Sequence, residues 1–334
     1  MEINWQRFAE QIHSAANIVL TVHHRPDGDC IGSALAMQRI LTQLGKNVLI
    51  ISPHPVPPTL AFLDPQNIIR PLETLTDEDR KRFDSADTLL VLDTSSPQQL
   101  GGMAVLFQDS NAKKLVIDHH VINVQNNLGA EMFVDENAEA TGTLVVRAAE
   151  ALGVPLSQDI AEAVFTALAT DTGWFRFSSV KAETFRTAGK LLDAGVRPDV
   201  LYRELYEQES LGRLRLAGRT LSKTESILDG RFLLSSILLE DFDAAGARSS
   251  DSEDIVNMLL SVKGTQMAAL ISELKDNTFK VSFRSRCKVD CSVLAKHFGG
   301  GGHREAAGAS FSVPFAETKQ AVIEAVVREL TTAF

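Results

Sequence analysis

Imidazoles and carboxylates recur at four places in this chain, each where an apolar run or a helical pattern ends. His23-His24-Arg25-Pro26-Asp27-Gly28-Asp29 follows Asn17–Val22, and Asp93 follows Thr88–Leu92. Asp118-His119-His120 follows Lys114–Ile117, and Asp171 follows a helical pattern over 157–170. Taken singly, most have a structural explanation. Pro26-Asp27-Gly28 is ordinary turn chemistry, Asp93 before Thr94-Ser95-Ser96-Pro97 reads as a helix cap, and Asp171 reads as a turn residue. Asp118-His119-His120 resists that treatment, because three ionisable groups closing a buried strand are costly to bury without partners. Taken together, His23, Asp27, Asp29, Asp93, His119 and Asp171 supply two imidazoles and four carboxylates. Crowded carboxylates repel one another and raise their own pKa values. Two divalent cations remove that repulsion. A shell of oxygen and nitrogen donors suits manganese, with magnesium, cobalt or iron also compatible.

The elements that must position these groups are read from periodicity. Asn17–Val22, Asn47–Ile51, Thr88–Leu92, Lys114–Ile117 and Met132–Val134 are continuous apolar runs. Helical patterns lie between and after them, at 34–44 before Gly45, at 141–152 and at 157–170. That alternation predicts an α/β domain with a parallel sheet covered on both faces. The carboxyl ends of such strands share one edge, where open α/β sheets bind ligands. Trp5, Phe8 and Ile12 predict an opening amphipathic helix, and Pro53, Pro55, Pro57 and Pro58 a loop. A helix is expected over 181–194, then a charged helical connector from Pro198 to about Ser222. Beyond it the pattern predicts a smaller α+β domain. Its parts are a hairpin around Asp229-Gly230, a helix over 251–262 and a strand pair, 266–274 and 278–284, joined near Asp276-Asn277. A helix near Cys291–His297, a strand near 309–313 and a last helix to Leu330 follow. The expected divisions are 1–195, a connector over 196–222, and 223–334.

A chain of 334 residues, 44% hydrophobic and 23% charged, can bury two cores. Its net charge of −10 argues against binding long nucleic acid. No basic segment precedes an apolar core near Met1, and no apolar run is long enough to span a bilayer, so the expectation is a cytoplasmic protein with no membrane partner. Cys30, Cys287 and Cys291 make neither a disulfide framework nor a paired zinc motif and read as free thiols. One region runs against the acidic background: residues 280–304 carry six Lys or Arg and a single Asp. Arg284 can grip a phosphate bidentately. The run Gly299-Gly300-Gly301-Gly302-His303 lets backbone N–H groups approach an anion, with a flexible surface loop as the competing reading. Trp174, Phe175 and Phe177 are able to stack a base, although core packing is the commoner use of such residues.

His-x-x-Pro-Asp-x-Asp at 23–29, Asp93, Asp-His-His at 118–120 and Asp171 resemble, in order, the four motifs of the DHH phosphoesterase superfamily. Arg284-Ser285 and the glycine run through His303 resemble its DHH-associated C-terminal domain. The resemblance spans almost the whole chain. It lies nearest to the bacterial nanoRNases, a branch of bifunctional oligoribonucleases and 3′-phosphoadenosine-5′-phosphate phosphatases. It implies a catalytic N-terminal domain, a substrate-binding C-terminal domain and a cleft between them. It gives one cation to His23, Asp27 and Asp93, and a second to Asp29, Asp93, His119 and Asp171. His120 would face the scissile phosphate, and Asp118 would orient the imidazoles beside it. His24 falls outside the ligand positions. Substrate contacts are implied for Arg284, Ser285, Arg286, Gly300, Gly301, Gly302 and His303. The implied reaction is in-line attack on phosphorus by a metal-activated water. The implied substrates are RNA or DNA of about two to five nucleotides, and 3′-phosphoadenosine-5′-phosphate. A homodimer is left open. A cyclic di-AMP or linear di-AMP phosphodiesterase shares this layout. A pyrophosphatase of the superfamily carries a different C-terminal domain, and a full single-strand exonuclease an additional one. A metal- and nucleotide-binding sensor without turnover would be expected to have lost a ligand.

Overall fold

The computed structural model of the protein describes residues 3–121, 128–275 and 277–332. Two compact units divide at Glu207 and Gln208.

In the first unit the strands are β1 (Asn17–Thr21), β2 (Asn47–Ser52), β3 (Ile69–Pro71), β4 (Thr88–Leu92), β5 (Lys113–Asp118) and β6 (Glu131–Val134). They form a fully parallel sheet in the order β3-β2-β1-β4-β5-β6. Its helices are α1 (Trp5–Ser14), α2 (Gly28–Gln43), α3 (Asp77–Asp84), α4 (Met103–Asp109), α5 (Thr141–Ala151), α6 (Gln158–Asp171), α7 (Ala182–Asp193) and α8 (Pro198–Tyr206). Alternate strand residues face opposite ways, so each strand is buried twice. Ile18, Leu20, Leu90, Leu92, Leu115 and Ile117 pack with α1, α2, α5 and α6, while Val19, Leu89, Val91 and Val116 pack with Met103 and Phe107 of α4. Burial on both faces is why these strands read as unbroken apolar runs. β3 carried no such signal, since three residues ending in Pro71 leave nothing periodic to read.

The order of the strands matters more than their number. From β1 the sheet grows one way through β2 and β3 and the other way through β4, β5 and β6. The direction therefore switches between β1 and β4, and a crevice opens beyond their carboxyl ends.

Small residues draw the helices over that crevice together. A Cβ on Gly32 would stand 2.3 Å from the Ala163 carbonyl of α6, one on Gly28 2.4 Å from Thr170 Oγ1, and one on Gly142 of α5 2.7 Å from Ala167. Gly28 thus serves close helix packing rather than the tight turn that Pro26-Asp27-Gly28 suggests; it opens α2 behind the cap Asp27. Gly32→Ala is expected to lower stability by about 1–3 kcal/mol, because displacing a backbone carbonyl outweighs the gain in helix propensity of about 1 kcal/mol. A urea midpoint equal to or above that of the parent protein would contradict so close a crossing.

The second unit begins with α9 (Leu211–Ser222) and continues with β7 (Glu225–Ile227), β8 (Phe232–Ile237), α10 (Leu239–Ala245), α11 (Ile255–Leu259), β9 (Met267–Lys275), β10 (Thr278–Ser285), α12 (Cys291–His297), β11 (Gly301–Gly302), β12 (Ala306–Phe311) and α13 (Phe315–Thr332). Its sheet runs β11-β12-β10-β9-β8-β7, antiparallel except for β8 with β9. Phe279, Val281 and Phe283 face a core that includes Leu294 of α12 and Val322 and Val326 of α13; Leu233, Ala268 and Leu270 face Leu216 of α9 and Val256 of α11.

Three sequence expectations differ here. The stretch 196–222 is two helices, α8 and α9, one in each unit. The helix expected over 251–262 is a 3-10 turn at Ser249–Ser252 and the short α11, parted where Asp254 takes φ of 61°. The strand expected near 309–313 lies at Ala306–Phe311. In the turn expected at Asp276-Asn277, Asp276 lies outside the described residues and Asn277 has φ of 58°.

Candidate metal centre

The crevice at the switch point receives a side chain from almost every element that ends there. His23 leaves β1, Asp27 caps α2, and Asp29 sits in its first turn. Asp93 leaves β4, Asp118 closes β5 with His119 and His120 behind it, and Asp171 is the last residue of α6 rather than a residue of the following turn. A cavity of about 320 Å³ is lined by His23, Asp27, Asp93, Thr94, Ser95, Ser96, Gln99, His120 and Val121.

Asp93 is the hinge of the geometry. It is buried, and its backbone takes φ of 66°, a left-handed conformation that costs most residues energy and Asp less. Its Oδ2 lies 3.3 Å from His23 Nε2, which is 3.6 Å from Asp27 Oδ1. Its Oδ1 lies 3.6 Å from His119 Nε2, which in turn is 3.7 Å from Asp29 Oδ2 and 3.6 Å from Asp171 Oδ2. One carboxylate therefore spreads its two oxygens over two groups of donors. Separations of this size between bare ligand atoms leave room for an ion inside each group.

The electrostatics fit the same reading. Burial and the charges of Asp93 and Asp171 hold the Asp29 carboxyl well above the usual carboxylate range. Burial, offset in part by His119 and reinforced by Asp93 and Asp27, pushes Asp171 up to about 6. Burial alone would pull the His23 imidazole down, yet hydrogen bonds it donates to the Asp27 and Asp93 carboxylates drive it far above its ordinary value. Without added positive charge these carboxylates must share protons. Divalent cations are the chemistry that relieves them.

His119 and His120 are adjacent in sequence and unlike in setting. The His119 ring is 13% exposed and sets Nδ1 3.2 Å from the Ala138 carbonyl, which makes Nδ1 the protonated nitrogen and turns Nε2 to the carboxylates. The His120 ring is 57% exposed and gives Nδ1 to Asp118 Oδ1 at 2.8 Å. That hydrogen bond raises His120 above its ordinary value. Asp118 Oδ1 also accepts from the His119 and His120 backbone N–H groups at 2.8 and 3.1 Å. Burial presses Asp118 upward, but the His120 hydrogen bond and charge hold it below the usual carboxylate range. His24 turns away, its N–H and Nδ1 both facing the Gln99 carbonyl.

Sequence reasoning missed the group that holds the carboxylates in place. The Thr141 hydroxyl donates to Asp93 Oδ1 at 2.8 Å, and its N–H donates to Asp29 Oδ2 at 2.7 Å. The Gly142 N–H and the Ser33 hydroxyl donate to Asp29 Oδ1 at 3.0 and 3.1 Å. The N-terminus of α5 thus fixes both acids, Asp29 through its unsatisfied N–H groups and Asp93 through the Thr141 hydroxyl. A Thr at a helix start reads only as a cap, so nothing local signals this role. Thr141→Val is expected to weaken metal affinity about 10- to 100-fold, as loss of an outer hydrogen bond does. Thr141→Ser should restore most of it, checked by calorimetric titration.

In the second unit, strand alternation sends Arg284 and Ser285 to opposite faces of β10. Arg284 donates from Nε to Asn257 Oδ1 at 2.9 Å, has a terminal nitrogen 3.8 Å from Asp254, and lines a cavity of about 480 Å³ with Lys280, Ser272 and Ser282. Ser285 is buried, its Oγ 3.5 Å from Cys287 Sγ. Arg286 is exposed and donates to the Leu260 carbonyl. Most of the glycine run has a backbone reason. Gly299, at φ of 72°, ends α12, while the Gly300 N–H returns to the Ala295 carbonyl. A Cβ on Gly300 would meet the Gly308 carbonyl at 2.1 Å, and one on Gly302 the Ala307 backbone at 2.5 Å, whereas Gly301 faces open space. His303 makes the turn into β12, its N–H on the Ala306 carbonyl. Trp174 packs on Phe165, Tyr202 and Tyr206, and Phe175 stacks on Phe185; the Phe177 ring is exposed.

This sheet order, with these carboxylates and imidazoles at its switch point, defines a phosphoesterase of the DHH family, and the chain belongs to that family. Its N-terminal domain is matched by residues 17–168 and the DHHA1 domain by residues 230–332. The chain is 33% identical, over 95% of its length and 91% of the relative's, to the bifunctional oligoribonuclease and PAP phosphatase NrnA of Thermus thermophilus. It is 27% identical to the protein of the same name from Bacillus subtilis, over 88% of each. Among solved structures, an exopolyphosphatase-related protein from Bacteroides fragilis superposes with a TM-score of 0.82 at 29% identity, over 97% of this chain and 95% of that one. Among the described residues, no helix is long and apolar enough to cross a membrane.

Proposed function

We propose that this protein hydrolyses short RNA or DNA, of about two to five nucleotides, to mononucleotides and removes phosphate from 3′-phosphoadenosine-5′-phosphate. The reading takes its substrates from the NrnA relatives and its chemistry from the site. The observation that carries it is the division of Asp93 between two donor groups. His23, Asp27 and Asp93 would hold one divalent cation, and Asp29, Asp93, His119 and Asp171 a second, manganese being the ion that best suits the donors. When bound, such ions supply a nucleophile at neutral pH and offset charge on the phosphoryl oxygens. The protein's own part is positional. Asp118 holds His120 by Nδ1, which leaves the other ring nitrogen to donate to a phosphoryl oxygen. Thr141 and Gly142 keep Asp29 and Asp93 from swinging apart. Arg284, with Arg286, His303 and the open backbone at Gly301, binds the nucleotide away from the scissile bond.

The test is a comparison of kcat/KM with manganese for a dinucleotide, 3′-phosphoadenosine-5′-phosphate, cyclic di-AMP and linear di-AMP. The first two are expected to exceed cyclic di-AMP by at least about tenfold, roughly 1.4 kcal/mol of transition-state binding. Preference for the cyclic substrate would replace this reading with a cyclic di-AMP phosphodiesterase. Tight binding without turnover would make the protein a sensor.

Arg284→Ala should raise KM for the dinucleotide by about 10- to 100-fold, the worth of a charge-assisted phosphate contact. Hydrolysis of bis-p-nitrophenyl phosphate, which needs only the metal centre, should change little. Equal damage to both substrates would make Arg284 a structural partner of Asn257 and Asp254 instead.

A further inference from the structure

We infer that Cys30 supplies a sulfur donor to the His23–Asp27–Asp93 group, so that this position selects a softer divalent cation than the position beside it. The inference rests on the two-cation reading above. Ligand atoms of His23, Asp27, Cys30 and Asp93 all lie within 4.8 Å of one another. The companion group of Asp29, His119 and Asp171 offers no sulfur. Cys30 is fully buried in the first turn of α2, three residues after the cap Asp27, and that spacing sets its Sγ on the same side as the Asp27 main chain, 3.6 Å from the Asp27 carbonyl oxygen.

One position therefore has an imidazole, two carboxylates and a thiol, and the other an imidazole and three carboxylates once the shared Asp93 is counted. Thiolate favours zinc, cobalt or iron(II), whereas carboxylate and imidazole alone tolerate manganese or magnesium. Burial pushes the Cys30 thiol up to about 12, so the thiolate that such a bond requires would form only as a cation displaces the proton. When the sulfur–metal bond forms, the S–H bond breaks and its proton passes to water. The hydrogen bond to the Asp27 carbonyl is given up, and nothing is oxidised. Unlike neighbours at the two positions follow, a soft ion at one and a hard ion at the other.

The other thiols provide controls. Cys287 and Cys291 belong to the second unit, where Cys287 Sγ meets Ser285 Oγ and Cys291 is buried at the start of α12. Metal-free full-length protein is titrated with Co²⁺ and followed by absorption, then with Zn²⁺ and Mn²⁺ by calorimetry. A sulfur-to-cobalt charge-transfer band is expected in the parent protein and in the Cys287→Ser/Cys291→Ser variant. Cys30→Ser should lose that band while still binding cobalt. Its Zn²⁺ affinity should fall by at least about tenfold and its Mn²⁺ affinity by no more than about twofold. Cys30→Ala serves as a second variant, with circular dichroism showing that each is folded. Cobalt bound by the parent protein without the band, or a band that persists in folded Cys30→Ser, overturns the inference and leaves the two-cation reading standing. A parent protein that binds no cobalt, zinc or manganese overturns both.

Discussion

On the two-cation proposal, Asp93→Asn is expected to lower kcat on any phosphodiester by on the order of 10³-fold or more, because a ligand that serves both cations would be lost, and with it several kcal/mol of transition-state stabilisation. The substitution keeps the shape and changes the chemistry. Asn adopts the left-handed backbone that Asp93 shows at φ of 66° as readily as Asp does. Its amide oxygen could still take the Thr141 hydroxyl, leaving an NH₂ group toward His23 where a carboxylate oxygen stood. The variant should therefore fold. Two effects on the metal-free fold oppose one another: Asp29 and Asp171, held high partly by the Asp93 charge, ionise more easily without it, while His23 loses a carboxylate that raises it. A thermal scan with manganese should therefore separate the variant from the parent, showing a smaller metal-induced rise in Tm. Near-normal turnover at saturating manganese would remove Asp93 from the centre.

The second large effect separates two adjacent histidines. His119→Ala should lose metal as well as rate, since Nε2 is the nitrogen held toward Asp29, Asp93 and Asp171. His120→Ala should retain metal stoichiometry yet lose about 10²–10³-fold in kcat, the usual cost of removing one donor to a developing negative charge. Its Nδ1 is committed to Asp118, and its ring reaches solvent, so its loss opens no buried cavity. Calorimetric metal titration of the two variants side by side decides the matter. Equal metal loss in both would refute the division of labour and make His120 a ligand.

Much of what brings these residues to one place is legible before any folding is considered. The strands Thr88–Leu92 and Lys113–Asp118 announce themselves as apolar runs because they are buried on both faces, and each ends abruptly in ionisable residues because the chain leaves the sheet there. The DHH resemblance is legible for a related reason: a donor cannot be exchanged for another residue type without changing what it binds. Other features were decided only by the tertiary structure. Periodicity reports that a strand is buried, not which strand lies beside it, so the placing of β4 against β1, and with it the crevice, was invisible. Gly28 looked like a turn residue until α6 was seen to pass within contact of it. The glycines from 299 to 302 looked like one anion loop, and the fold divides them among a helix end, two close approaches to β12 and a single open position. Thr141 left no mark at all, because its bonds to Asp29 and Asp93 span 112 and 48 residues of chain. Local sequence encodes burial, chain reversal and donor chemistry, since each depends on a residue and its near neighbours. Which donors meet, and what holds them at a separation an ion can use, depends on contacts between distant segments, and those exist only once the sheet has formed.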